Sequence, residues 1–274
     1  MPNLSKNDLL DAARRFMDES PANFLAEDLA LRPDLAGMRL YETPLMGVAA
    51  AGDPVFIQMQ AEEAVGRLFV LPGDWLPGAQ SVISFFFPFT SQIIEANANE
   101  PVETPPEWLH GRIEGQAALD AMIDSIRALL EEAGNACVIP GKDERFKSAP
   151  KQEGPDNPGY TTAWSERHVA YVCGLGTFGL SRGLITSKGM AGRFGSLVTT
   201  LPLEADPRPY TRYDEYCTMC GLCAPRCPVD AIDPQKGKNI ALCSAYQQVT
   251  REKHAPRYGC GKCSVGVPCT SCIP

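Results

Sequence analysis

The chain has 274 residues, with 33 acidic against 25 basic side chains and a formal net charge of −8. So acidic a balance argues against a general nucleic-acid binder, which needs a basic surface. The 44 % hydrophobic content supports a real core, and no apolar run reaches the roughly 18 residues of a membrane span.

Ser5 and Asp8 form a capping-box-like start to an N-terminal helix. Leu9, Ala13 and Phe16 recur in it at helical spacing, and Ser20-Pro21 ends it. Arg14-Arg15 is followed by Phe16-Met17-Asp18-Glu19-Ser20, without the apolar region of an export signal. A stretch broken by Pro and Gly comes next, with short apolar runs at Gly66–Leu71 and Val82–Phe87; the second, bounded by Pro88, predicts a buried strand. From about Ile113 to Ala133, Leu119, Met122, Ile123, Ile126, Leu130 and Ala133 form one apolar helical stripe capped by Gly134. A short strand is expected at Ala136–Ile139, a long loop over 140–163, and a further strand at Gly195–Thr200. Pro202–Pro209 reads as a linker to a cysteine-rich segment.

Nine of the eleven cysteines lie from Cys217 onward. The odd count, the clustering and the lack of a secretory signal predict metal in a reducing cytoplasm rather than disulfides. Cys217-x-x-Cys220-x-x-Cys223-x-x-x-Cys227-Pro228 has the spacing with which bacterial-type ferredoxins wrap a [4Fe–4S] cluster, the fourth cysteine serving a neighbouring cluster in two-cluster forms. Five downstream cysteines, Cys243, Cys260, Cys263, Cys269 and Cys272, are candidates for completing two sites. Zinc is the alternative, but its sites seldom place three cysteines at consecutive two-residue gaps before a Cys-Pro. From Pro209 onward eight Lys/Arg face five Asp/Glu, a local +3 that leaves −11 on residues 1–208. That basic excess suits the negative charge of thiolate-ligated clusters.

Gly174-Leu175-Gly176-Thr177-Phe178-Gly179 fits G-x-G-x-x-G, but a dinucleotide-binding turn needs a helix next and an acidic residue about twenty positions on. Ser181-Arg182-Gly183 and Gly189, Gly192 and Gly195 follow instead, with no acidic residue before Glu204. A tight turn, or a backbone running close to a flat ligand, explains these glycines better.

The segment Trp164-Ser165-Glu166-Arg167-His168-Val169-Ala170, the run Gly174–Gly179, the Gly195-Ser196 strand and the cysteine motif, with Leu76–Ser84 upstream, together resemble the epoxyqueuosine reductases. These are cytoplasmic iron–sulfur enzymes that use cobalamin; reductive dehalogenases are more distantly similar. The resemblance implies an α+β chain, with a nitroreductase-like α/β cofactor domain over 1–208 and a ferredoxin-like domain with two [4Fe–4S] clusters over 209–274. It implies that Cys217, Cys220 and Cys223 hold the first cluster with a tail cysteine, and Cys227, Cys243, Cys260 and Cys263 the second. Cys269 is the choice for the tail ligand and Cys272 its rival, because the final gap is longer here than in the family. Cys137 and Cys173 are expected to be small core residues. Arg167, His168, Gly174, Gly176 and Gly179 are the candidate cofactor-binding residues, with His168 either touching an anionic group or serving as a hydrogen-bonded structural histidine.

The family's proton-donating aspartate, a few residues before the Glu-Arg pair, is absent. Gap-free counting puts Tyr160 there, like the tyrosine donor of dehalogenases; Asp156 and Asp143 are alternatives, and a Tyr160 that merely packs under the loop is another. No counterpart of the family's C-terminal helical-repeat domain is expected, and the acidic charge suits a tRNA substrate poorly. The histidines His110, His168 and His254 are scattered and the Asp-x-His-x-x-Gly cobalt-ligating segment is missing, which epoxyqueuosine reductases also manage without. Cobalamin and flavin are both open. The expectation is a cytoplasmic reductase, without a membrane anchor, fed by ferredoxin or flavodoxin and acting on a small molecule; the alternative is a non-catalytic electron carrier.

Overall fold

Val82–Phe87 carries apolar side chains at nearly every position because the strand it forms is covered on both faces. The computed structural model describes residues 4–152 and 158–274. In chain order its main elements are α1 (Lys6–Glu19), β1 (Leu45–Ala50), α2 (Pro54–Gln58), α3 (Pro72–Trp75), β2 (Ser81–Pro88), α4 (Ser91–Asn99), α5 (Pro106–Glu132), β3 (Cys137–Val138), β4 (Ser148–Gln152), β5 (Pro158–Thr162), α6 (Glu166–Val172), β6 (Gly176–Phe178), β7 (Leu184–Thr186), β8 (Gly192–Thr199), β9 (Ile232–Asp233), β10 (Gly237–Lys238) and α7 (Ile240–His254). The central sheet has the order β1-β2-β8-β3 and is antiparallel at every described pairing. The large lobe is thus a mixed helix-and-sheet unit of α+β type. The paired strands come from distant parts of the chain, Ser81–Pro88 against Gly192–Thr199 and Leu45–Ala50 against Ser81–Pro88, with helices in the intervening segments.

Every residue of β2 is buried. Alternation sends Ile83, Phe85 and Phe87 to one core with Leu9, Ala13 and Met17 of α1, Ile93 of α4 and the Leu119–Leu130 stripe of α5. Val82 faces a second core with Phe56 of α2, Trp75 of α3, Trp164, and Val169 and Val172 of α6. Helices therefore cover both faces of one sheet.

The capping box at Ser5 is present, with Asp8 N–H donating to the Ser5 hydroxyl and Ser5 N–H to the Asp8 carboxylate. Helix α5 begins at Pro106, about two turns before the expected Ile113, because proline suits the first helical turn and Trp108 and Leu109 already bury the core face. Gly111 and Gly115 obscured that start in the sequence. A Cβ at Gly115 would meet the Tyr41 hydroxyl at 2.7 Å, and one at Gly111 would meet Phe89 at 3.0 Å, so close packing requires both. The expected loop over 140–163 instead contains a short 3-10 turn at Pro140–Lys142 and the β4–β5 hairpin. The expected linker is pinned to the sheet: Asp206 N–H donates to Val48 O and Val48 N–H to the Asp206 carboxylate, while Arg208 pairs with Asp53 at 2.6 Å.

The cysteine-rich segment seats itself on α4 and α5. Lys262 is 1 % exposed. Its ammonium donates to Asn97 Oδ1 at 2.8 Å and Asn97 O at 3.2 Å, and to Glu100 O. Those carbonyls belong to the C-terminal end of α4, where the helix dipole favours a cation. Beside it Gly261 has φ +65°, and a Cβ there would lie 1.8 Å from the Trp108 ring. Arg226 adds bonds to Lys262 O and Ala98 O. Lys262→Ala is expected to lower stability by about 2–4 kcal/mol, since it strands several buried carbonyls, read as a lower urea midpoint with an unchanged slope.

Candidate functional site

The cysteines fall into two sets of four, each around its own cavity. Cys227, Cys243, Cys260 and Cys263 line a cavity of about 700 Å³. Cys217, Cys220, Cys223 and Cys269 line a much tighter one. Cys272 borders neither; it is exposed, and its thiol points at Pro268 O, 3.4 Å away. Left-handed backbone at Met219 (φ 52°) and Gly221 (φ 74°) curls the first loop, and short turns from Gly221 O to Ala224 N and from Ala224 O to Cys227 N continue it. Ala231 N–H donates to Cys227 Sγ at 3.2 Å, and Lys238 Nζ lies 3.8 Å from Cys263 Sγ; such donors offset thiolate charge. Burial pushes the thiols of Cys223, Cys260 and Cys269 up to about 11, and coordination would deprotonate them outright. Among the described residues no three His, Cys, Asp or Glu side chains converge closely enough for a single metal ion.

The larger cavity lies between β8, α5, the start of α6 and the second cysteine set. Its most unusual group is Glu166, in the first turn of α6. Trp164 Nε1–H donates to Ser196 Oγ at 2.8 Å, and Ser196 donates to Glu166 Oε2 at 2.6 Å. Burial raises the Glu166 carboxyl from 4.5 to about 7, against the opposing Ser196 bond. A carboxylic acid half-protonated near neutrality can give up a proton within the physiological range. Arg112, Arg193 and Arg167 share this wall with Asp120 and Gln116.

The residues expected from the sequence divide. Arg167 lines the cavity, donates to Arg182 O at 3.2 Å, and is held below its usual pKa mainly by desolvation. His168 does not line it. Its Nδ1 pairs with Ser165 Oγ at 2.8 Å, its ring packs on Phe178, and burial lowers its pKa to about 4, which describes a neutral structural histidine. Gly174 and Gly176 border neither cavity. Gly174 (φ +81°) ends α6 against Pro207 O, and a Cβ on Gly176 would lie 1.9 Å from Ile185 O, so these glycines serve chain packing. Gly179 borders the smaller cavity. Tyr160 is 61 % exposed on the hairpin, opposite Pro150, and away from both cavities. Asp143 is paired with Arg145, which holds its carboxyl at about 2, an ionised group rather than a donor. Asp156 lies outside the described residues. Cys173 is buried with its thiol toward Val82 O, and burial raises the Cys137 thiol to about 12. Sequence reading missed Glu166, Ser196, Arg112 and Arg193. Glu166 lay within the quoted segment, but its partner Ser196 is thirty residues away.

The family model described as a 4Fe-4S binding domain matches residues 210–233. A tetrachloroethene reductive dehalogenase of Desulfitobacterium hafniense is 32 % identical over 112 residues, which are 38 % of this chain and 20 % of that protein. One from Dehalobacter restrictus is 31 % identical over the same shares. The match thus spans about a fifth of these curated relatives. Epoxyqueuosine reductase from Bacillus subtilis aligns in structure with a TM-score of 0.49 and 18 % identity, over 82 % of this chain and 61 % of that one. No helix among the described residues is long and apolar enough to cross a membrane. The chain thus carries a ferredoxin-type 4Fe-4S segment and is similar to epoxyqueuosine reductases and reductive dehalogenases.

Because the folded state raises the Glu166 pKa from 4.5 to about 7, burial of its charged form destabilises the protein progressively as pH rises through that window, and not below it. Glu166→Gln should remove this loss, so the variant gains melting temperature relative to the parent between pH 5 and 8, read by calorimetry.

Proposed function

We propose that the chain is an iron–sulfur reductase that passes electrons through two [4Fe–4S] clusters to a cofactor or substrate in the larger cavity. The observation that carries this reading is a shared wall: four cysteines, Glu166 and Arg167 all border one cavity. A carrier that only relays electrons between proteins has no use for a cleft of about 700 Å³, only part of which a cluster on Cys227, Cys243, Cys260 and Cys263 would fill, with a protonatable acid on its wall.

Two cysteine sets of four fit two cubanes, each with one thiolate per iron. The set containing Cys220 lies nearer the surface. Cys220 is exposed, with Met219 at 51 % and Leu222 at 50 % exposure beside it, so a ferredoxin or flavodoxin would deliver electrons there. The set at the cavity is the exit. Ferredoxin-type clusters work at about −400 mV, which suits a difficult reduction. Glu166 would hold the proton that the reduced ligand takes up, with Ser196 and Trp164 fixing the carboxyl, and Arg167 would balance charge between thiolates and ligand.

Cobalamin is the cofactor proposed from the resemblance, on the nitroreductase-like scaffold that the resemblance implies. Phe89, Trp108, Trp164 and Phe194 give the cavity flat walls, and its volume lies within the range of ordinary ligand sites. Such aromatic lining would suit a conjugated ring system, whether a corrin or a flavin. No histidine is among the described lining residues, so the groups this cavity would offer a corrin are aromatic, cationic and acidic side chains. A bound corrin or flavin would supply a strongly reducing centre.

Anaerobic reconstitution should give about eight irons and eight sulfides per chain, following from two cubanes, with absorption near 400 nm. Cys269→Ser should lose roughly half the iron while Cys272→Ser keeps it all. Protein that binds only zinc, or loses iron with Cys272 rather than Cys269, contradicts the assignment. Uptake of corrin or flavin with turnover supports the reductase, and full iron with electron exchange only between partner proteins supports the carrier.

A further inference from the structure

We infer that the larger cavity recognises its ligand through an oxyanion, a carboxylate or phosphate group held between Arg112 and Arg193. The inference rests on the reading of this cavity as the place of reduction and specifies the class of molecule that enters it.

Both side chains line the cavity, Arg112 from α5 and Arg193 from β8, and they lie close enough to repel one another. Among the described residues neither forms an ion pair. Arg193 donates through Nε and Nη2 to the neutral amide oxygen of Gln116. Gln116 in turn donates to Asp120 at 2.9 Å, so the Asp120 carboxylate is linked to Arg193 through an amide rather than by a direct ion pair. Arg112 lies over the Tyr258 ring at 4.3 Å, and its Nε is buried without a hydrogen-bond partner. A buried, unpaired guanidinium donor is costly to maintain. Arg112 Nε is one, and with Arg193, whose Nε and Nη2 bond only a neutral amide oxygen among the described residues, it offers a fork for an oxyanion, which would offset both charges through charge-assisted bonds.

These two differ from Arg167 and Lys238, which also line the cavity. Arg167 interacts electrostatically with Cys263 and Cys243, and Lys238 reaches Cys263, so their charge is matched by the thiolates of the cluster site. The main electrostatic neighbours of Arg112 are Arg193, Tyr258 and Arg251, with no cysteine among them. Desolvation and the repulsion from Arg193 both hold the Arg112 pKa below its usual value, as expected for cations lacking a counter-charge. Trp108, Phe89 and Phe194 border the same space, so the body attached to the oxyanion is apolar or conjugated.

Calorimetric titration of the anaerobic, cluster-loaded protein with phenylacetate, phenyl phosphate and neutral phenylacetamide tests this. At least one anion should bind about tenfold or more tightly than the amide, the margin of one charge-assisted hydrogen bond. Which anion wins distinguishes carboxylate from phosphate recognition. Arg112→Gln and Arg193→Gln should each remove that margin, Arg112→Lys should restore part of it, and the surface control Arg14→Gln should leave it intact. Equal binding of anions and amide, or anion preference surviving in both glutamine variants with normal cluster absorption, overturns the inference. Cluster content is read on the same samples: protein holding both clusters but indifferent to anions sinks this inference alone, whereas protein without iron–sulfur clusters sinks the reduction reading whatever it binds.

Discussion

The buried ammonium of Lys262 fastens the cysteine loops to the sheet domain, and the position of the second cysteine set follows from it. Cys260 and Cys263 flank the lysine, so fixing its Nζ against the carbonyl end of α4 also fixes two of the four thiols at the cavity wall. Gly261 permits this only because it lacks a Cβ, letting the loop lie flat on Trp108. The same helix that supplies Trp108 carries Arg112, Gln116 and Asp120 one to three turns further on. Helix α5 therefore both seats the loop that carries Cys260 and Cys263 and lines the space the electrons are proposed to enter.

Electrostatics divide that space into regions. Next to the thiolates stand Arg167 and Lys238, whose charges would balance a cluster. Arg112 and Arg193, from α5 and β8, form no ion pair with a carboxylate among the described residues. At the start of α6, Glu166 is enclosed well enough that its carboxyl titrates near neutrality. Desolvation drives both the raised acid and the lowered arginine, because an enclosed site penalises any charge without a counter-charge. Low dielectric also strengthens whatever interactions the ligand makes there.

Much of the scaffold was legible in the sequence because it depends on local chemistry. Ser5 and Asp8 cap α1 as their spacing foretold, and Val82–Phe87 is continuous enough in apolar character to specify a strand buried on both sides. The Leu119–Leu130 stripe placed α5, but Gly111 and Gly115 hid its first turns, since their smallness answers to Tyr41 and Phe89 from distant elements. The cysteine spacing pointed to cluster binding, and the family resemblance to the two groups of four that border separate cavities. The proposed proton donor was harder to find. Counting residues toward Tyr160 ignores the β4–β5 hairpin, which turns that side chain out to solvent. Glu166 becomes notable only once β8 brings Ser196 to its carboxyl. Likewise Gly174 and Gly176 fitted a ligand-binding pattern, but their backbones are pressed against Pro207 and Ile185 O, contacts no local pattern could reveal.

The central claim is that two clusters lie close together in one chain, one near the surface and one at the cavity. Electron paramagnetic resonance of the dithionite-reduced protein tests it most directly. Two adjacent reduced [4Fe–4S] clusters should give a spectrum broadened and split by spin–spin coupling, which collapses to a simple rhombic signal when only one cluster is reduced. A single uncoupled signal at full reduction, or silence from a zinc-loaded protein, would contradict the account.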